Sequence, residues 1–259
     1  MSNILILGGT GKTGRRVARR LDGARIAART TGFDLGDPST WALDGVTAVY
    51  LVEPDLRAEP RLPRLVTEAV AAGARRLVLL SAPRAGEEGH PLHAAERAVR
   101  GSGVGWTILH PNWFAQNFSE GPWARGIRDG VLTLPAGAGR APFVDAEDIA
   151  EVAASALTDD RHHGQVYELT GPRAVSFGEA VGVIARAAGR KIEYADVEPE
   201  AFVERQIAYG VPENVARLLT GLLADLRDGR GADVADGVER ALGRPPRSFE
   251  DFAAATSWR

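Results

Sequence analysis

From residue 8 to residue 14 the chain reads Gly-Gly-Thr-Gly-Lys-Thr-Gly, four glycines in seven positions. Gly8, Gly11 and Gly14 follow the apolar run Asn3-Ile-Leu-Ile-Leu7 directly and precede a helical pattern through Val17, Ala18 and Leu21. Glycine in such a turn lets a pyrophosphate approach the main chain, and the helix that starts there offers N–H groups and a positive dipole end. The motif predicts a dinucleotide site, with Gly8, Thr10, Gly11, Lys12, Thr13 and Gly14 around the phosphates. A Walker A loop would need glycine five residues before Gly11-Lys12-Thr13, where this chain has Ile6.

A site selective for NAD places an acid about 20 residues after the first glycine, on the ribose 2′-hydroxyl. Here Arg29 stands in that place, suited to pairing with a 2′-phosphate, and Arg15 can assist. NADP(H) is the expected cofactor; a plain surface arginine at a strand end is the alternative. Asp34, read as sitting at a strand end, is a candidate for the adenine, or else a turn residue before Gly36-Asp37-Pro38. Val52, closing another strand, is a further cofactor candidate.

For acid–base chemistry the inventory is short. The chain has no cysteine, and Lys12 and Lys191 are its only lysines. The residues four after Tyr50, Tyr167, Tyr194 and Tyr209 are Pro54, Gly171, Glu198 and Glu213, so no Tyr-x-x-x-Lys pair exists. Ser81 ends an apolar strand where a short-chain dehydrogenase carries its serine. His93 opens the following helix and could donate a proton near neutral pH, or could be a surface histidine. His162 and His163 are adjacent, not one turn apart, and no zinc constellation is expected.

The elements that must position these groups alternate. Strand patterns at 3–7, 24–28, 47–52, 76–81 and 106–109 are separated by short connections and by helical patterns at 62–72 and 92–100. This is the signature of βαβ units in a doubly wound parallel α/β sheet of Rossmann type. We expect an NADP-binding domain over 1–150 and a smaller, mostly helical substrate-binding part over 151–259, intertwined with the first. Later signals are helix starts at Asp145-Ala-Glu-Asp148 and Ser176-Phe-Gly-Glu179, strands at 165–170 and 192–197, and a helical stripe of Val215, Leu218, Leu219, Leu222 and Leu226. That stripe reads as core packing, or as a lid or dimer face.

The 259 residues are 44% hydrophobic with a formal net charge of −3, so no nucleic-acid or membrane partner is indicated. The pairs Arg15-Arg16, Arg19-Arg20 and Arg75-Arg76 are the only candidates for a basic patch, and the two on the first helix read rather as a solvated face. Met1-Ser2-Asn3 carries no charged signal-peptide region, and no run approaches the roughly 18 apolar residues of a membrane span. The expectation is a cytoplasmic monomer or homodimer acting on a small molecule.

Longer segments carry a resemblance. Gly8 to Gly14, Arg29, Arg76-Leu-Val-Leu-Leu-Ser81, Glu96 with Ser102-Gly103, Trp106 to Phe118, Pro142 to Ile149 and Gly243 to Phe249 make the chain similar to NmrA-like, atypical short-chain dehydrogenases/reductases, over nearly its whole length. Phe33-Asp34, Gly8 to Thr13 and Trp113-Phe114 resemble the ergot-alkaloid dehydrogenase branch, which reduces iminium intermediates with NADPH. The resemblance implies a nicotinamide near Pro111 and Asn112. It also implies a substrate near Ser81, His93, His110, Trp113 and Phe114, with Tyr209 a further substrate candidate from the helical part. The family usually carries arginine where this chain has His110, which makes His110 a local proton source or a buried structural histidine. It includes reductases of secondary metabolism, quinones and dyes, and also non-catalytic NADP sensors. Reduction of a small aromatic or polycyclic metabolite is the first expectation and a sensor the alternative.

Overall fold

The computed structural model describes residues 3–55 and 59–258; Met1 and Ser2, which open the amino-terminal reading, lie outside them. In chain order the strands are β1 (Ile4–Leu7), β2 (Arg25–Ala27), β3 (Ala48–Val52), β4 (Arg76–Leu80), β5 (Gly105–Pro111), β6 (Val131–Leu134), β7 (Arg140–Ala141), β8 (Gln165–Leu169), β9 (Val175–Ser176) and β10 (Glu193–Asp196). The helices are α1 (Gly14–Ala18), α2 (Leu62–Ala71), α3 (His93–Arg100), α4 (Asn117–Glu120), α5 (Ala124–Asp129), α6 (Ala146–Thr158), α7 (Phe177–Ala188), α8 (Pro199–Ala208), α9 (Glu213–Arg227), α10 (Gly237–Leu242) and α11 (Phe249–Ala255). They fall into two compact units, and each draws segments from either side of residue 150.

Unit 1 comprises 1–111, 146–169 and 236–245. Its six strands form one parallel sheet in the order β2-β1-β3-β4-β5-β8. The reason is local: β1 is buried throughout, as are Ala48 to Leu51 of β3 and Leu77 to Leu80 of β4, and strands apolar on both faces need helices above and below. Leu62, Leu65, Val66 and Ala69 give α2 a buried stripe at helical spacing. α3 does the same with Ala95, Glu96 and Val99, so a carboxylate takes a core position. Arg16, Arg19 and Arg20 converge on Glu147 of α6 at 2.7, 3.2 and 2.6 Å. Arg16 and Arg20 are thus part-buried ion-pair partners, not the solvated face their sequence suggested. α10 presses on β8: a Cβ added at Gly237 would lie 2.1 Å from the Glu168 carbonyl oxygen.

Unit 2 comprises 112–145, 170–235 and 246–259. It is not purely helical, since β6 pairs in parallel with β10 and β7 pairs antiparallel with β9. Phe118 anchors its core, with Trp123, Phe143 and Phe249 at centroid distances of 4.8, 5.2 and 5.3 Å. Ser176 and Glu179 form the expected capping box at the start of α7. The stripe read on α9 is corrected: Ala216, Leu223 and Leu226 are buried, whereas Leu218 and Leu222 are exposed. Among the described residues no helix is long and apolar enough to cross a membrane.

Candidate functional site

The glycine loop leaves the carboxyl end of β1 and folds back on itself. Gly8 N–H donates to the Ala27 carbonyl and Gly11 N–H to the Gly8 carbonyl, both at 2.8 Å. Gly8 has φ +65°, a conformation costly for other residues. A Cβ at Gly14 would stand 2.2 Å from the Gly8 oxygen, so only glycine lets α1 start against the loop. Gly11 differs. It is exposed, and its missing Cβ would meet only the Gly8 carbonyl, at 3.1 Å. Internal packing explains Gly14; at Gly11 the contact is tight but the residue is exposed, so its bare backbone stays accessible, as a phosphate cradle requires. Thr10 is exposed beside it, Lys12 is half-buried and Thr13 is buried.

Arg29 follows β2 directly, exposed at the start of a 3₁₀ turn over Arg29–Thr31. Val52 ends β3, with its Cγ1 2.8 Å from where a Gly8 Cβ would be, so it covers the glycine loop. Asp34 does not end a strand. It lies in the connection between β2 and β3, exposed, with Oδ1 accepting the Gly36 N–H at 2.8 Å. Asp34 is thus engaged in the tight turn that Gly36-Asp37-Pro38 suggested. The loop's bare backbone, exposed Arg29 and half-buried Arg15 make a donor set whose chemistry fits NADP.

Register assembles a second cluster on the same sheet edge. Leu80 of β4 is opposite Leu109 of β5, and the Ser81 N–H donates to the Leu109 carbonyl at 2.9 Å. His110 of β5 is opposite Glu168 of β8. Glu96 of α3 completes the group. Ser81 Oγ donates to Glu96 Oε1 at 2.7 Å, His110 Nε2 meets the same oxygen at 2.6 Å, and His110 Nδ1 meets Glu168 Oε1 at 2.5 Å. Arg100 reaches Glu96 Oε2 at 3.3 Å. Burial alone would push His110 down, but the hydrogen bonds and charges of Glu168 and Glu96 overrule it and raise it to about 9. Burial likewise opposes ionisation of Glu96, yet His110, Ser81 and Arg100 bring it down to about 2. Near neutral pH the centre is an imidazolium against the ionised Glu96, with Glu168 on its other ring nitrogen. Both ring nitrogens are committed, so His110 has no lone pair for a metal and no free N–H for a substrate.

His93 opens α3 half-buried, with Nδ1 on the Gly86 carbonyl at 2.9 Å; the hydrogen bonds from Ser81 run through Glu96 and His110 instead. Pro111 closes β5, and Asn112 opens unit 2, its Oδ1 accepting the Trp113 N–H at 2.8 Å. Trp113 stacks on Trp123 at 5.4 Å, and Phe114 bridges to Val144. Tyr209 is 55% exposed beneath the Arg125 guanidinium, 4.6 Å from its ring centre. It borders a surface cleft of about 100 Å³ with Trp123, Phe202 and Arg205, and neither Trp113 nor Phe114 lines that cleft. Sequence reasoning gave no role to Glu96 or Glu168. The available signal was a carboxylate on the apolar stripe of α3; Glu168 stands at the exposed position of Gln165-Val-Tyr-Glu-Leu169, where a polar residue is ordinary.

Residues 39–226 match the NmrA-like family. Among curated relatives, an uncharacterized oxidoreductase, YesF, of Bacillus subtilis is 37% identical over 97% of this chain and 94% of its own. An NAD(P)H azoreductase of Xenophilus azovorans is 33% identical over 97% of each chain. The festuclavine dehydrogenase of Aspergillus fumigatus is 32% identical over 96% of each. Among solved structures, the NADPH complex of the NADPH-dependent quinone oxidoreductase QOR2 from Escherichia coli superposes with a TM-score of 0.80, at 21% identity, over 97% of this chain and 98% of that one.

Proposed function

The chain belongs to the NmrA-like family, and on that premise we propose that it is an NADPH-dependent reductase of a small, aromatic or polycyclic acceptor carrying a C=N, quinone or conjugated C=O group. The observation that carries the reading is the exposed bare backbone at Gly11 on the same sheet edge as Arg29. Relatives named oxidoreductase, NAD(P)H azoreductase and festuclavine dehydrogenase, each matched over nearly the full chain, support an NADP-dependent oxidoreductase. Preference for NADP rests on Arg29. A cytoplasmic location fits this reading.

Bound there, the dinucleotide supplies hydride. The chain's own residues do the rest. Gly8, Thr10, Gly11, Lys12, Thr13 and Gly14 hold the pyrophosphate. Arg29, assisted by Arg15, takes the 2′-phosphate, and Asp34 borders the adenine. Val52, Ser81, Pro111 and Asn112 are assigned to the nicotinamide, and Trp113 and Phe114 to the acceptor, while Tyr209 borders a cleft that neither aromatic lines. With no Tyr-x-x-x-Lys pair, catalysis is mainly positioning in a water-poor pocket, which can supply several kcal/mol of the barrier. The test is a screen of purified protein with NADPH against imines, quinones and conjugated ketones. Turnover of one class is expected. Tight NADP binding without turnover of any class, together with capture of a protein partner, would make it a sensor and overturn the reading.

A further inference from the structure

A neutral hydroxyl owns one hydrogen, and an ionised carboxylate can only accept. Glu96 is fixed in the ionised form by three donors: Ser81 Oγ at 2.7 Å, His110 Nε2 at 2.6 Å and Arg100 at 3.3 Å. The Ser81 hydrogen is therefore spent on Glu96. The arrangement is braced. The Glu96 side chain is 1% exposed and that of His110 8% exposed, and Glu168 closes the line on the far side of the imidazole. A charged hydrogen bond inside such a pocket is worth more than a neutral one at the surface, and turning the hydroxyl elsewhere would leave a buried carboxylate short of a donor. What Ser81 has left to offer is lone pairs, at the carboxyl edge of a parallel sheet where ligands of such sheets bind.

We propose that Ser81 Oγ is an acceptor for a planar N–H donor, held in that role by Glu96, His110 and Glu168 as positioning residues, and that the site therefore favours ligands presenting N–H over acceptors presenting oxygen. Two groups carry that chemistry: the protonated C=N of an imine acceptor and the carboxamide of a nicotinamide. This rests on the reductase reading in its first form only; the second can be tested by binding alone. A quinone or ketone oxygen, which needs a donor as charge builds on it, gains nothing from this serine. The role differs from that of the serine in a Tyr-Lys site, which donates to a carbonyl.

The experiment compares wild type, Ser81→Ala and Ser81→Thr. Without turnover, affinities are measured for NADP+ and for its 3-acetylpyridine analogue, which lacks the amide N–H. With turnover, KM and kcat are measured for a cyclic imine, for its N-alkylated iminium and for a quinone. Loss of one neutral hydrogen bond is worth roughly three- to tenfold. If the carboxamide is the partner, Ser81→Ala weakens NADP+ by that factor and spares the analogue. If the protonated imine is the partner, the lost hydrogen bond is a charged one and KM for the imine rises about tenfold to a hundredfold, while KM for the N-alkyl iminium and for the quinone changes far less. In both cases Ser81→Thr restores the wild-type value, and Glu168→Gln, a change at a half-exposed end of the line, gives a smaller loss of the same kind. Either pattern supports the proposal. It is overturned if Ser81→Ala lowers kcat for the quinone about a hundredfold with binding intact, which is the mark of a proton donor. It is equally overturned if none of these ligands distinguishes Ala from wild type. Absence of NADPH oxidation with every acceptor would remove the reductase reading, and the two dinucleotides would still decide the role of Ser81.

Discussion

At the scale of single residues, glycine and arginine carry the most consequence. Replacing Arg29 with Ala removes a charged hydrogen-bond partner worth roughly 1.5–3 kcal/mol. NADPH affinity should fall about tenfold to a hundredfold while NADH affinity barely moves; equal losses for both in a fluorescence titration would remove Arg29 from the 2′-phosphate. Gly14→Ala should abolish dinucleotide binding, because its Cβ would collide with backbone at 2.2 Å, whereas Gly11→Ala should fold normally and bind weakly. Comparison of melting temperature with affinity for the two variants separates packing from ligand approach. The glycines, Arg29 and Ser81 were legible because strand-turn-helix grammar fixes them by position. The partnership of Ser81 with Glu96 was not, since a bond across 15 residues from a strand end to a helix face leaves no local signal. His110 was visible as an oddity, but its state depends on Glu168, which reaches it only through strand pairing.

At the scale of elements, the apolar pattern served well where a strand is buried on both faces and less well where an element is only partly covered. The apolar strands β1, β3 and β4 lie within a residue or two of their sequence boundaries, because a strand buried on both sides has no polar ambiguity. β6 and β7 escaped notice. They are short, and β6 meets its partner β10 some sixty residues later. α9 shows the same limit, since the stripe through Leu218 and Leu222 lies about one residue off the buried face, which carries Ala216, Leu223 and Leu226. Leu223→Ala should cost about 2–5 kcal/mol, as for other buried leucines. Leu218→Ser, at 64% exposure, should change stability by no more than about 0.5 kcal/mol. Urea denaturation of the two variants checks the assignment; equal costs would place both leucines in the core.

At the scale of the whole molecule, the charged centre couples stability to pH. His110 binds its proton more tightly folded than unfolded. Its contribution is therefore complete below the ordinary histidine value near 6.5 and is lost as pH rises through about 9. The loss should amount to about 3 kcal/mol at most, since each tenfold gain in proton affinity is worth about 1.4 kcal/mol. Glu96 has the opposite sign: its contribution is present above about 4.5 and lost as pH falls toward about 2. The contributions of His110 and Glu96 should be constant from about pH 5 to 6.5, and denaturation midpoints of the wild type should decline from there toward pH 9. The alkaline decline should be absent in His110→Gln, and a wild type equally stable at pH 6 and pH 9 would show that the imidazole is not charged in the fold.

The interleaving of the two units also bears on the order in which the chain can be made. The sheet of unit 1 is missing β8 until residue 169 has been synthesised, and β8 lacks the cover of α10 until residue 242. Domains that are continuous in sequence can close while the ribosome is still working on the next. Here the nascent polypeptide must keep an open sheet edge next to His110 until β8 has been made, and unit 1 closes only after the intervening segments of unit 2 have been synthesised. A stop codon anywhere before residue 236 would leave the backbone of Glu168 without the helix that presses on it, so nonsense variants should yield chaperone-bound or degraded product instead of a smaller functional fragment.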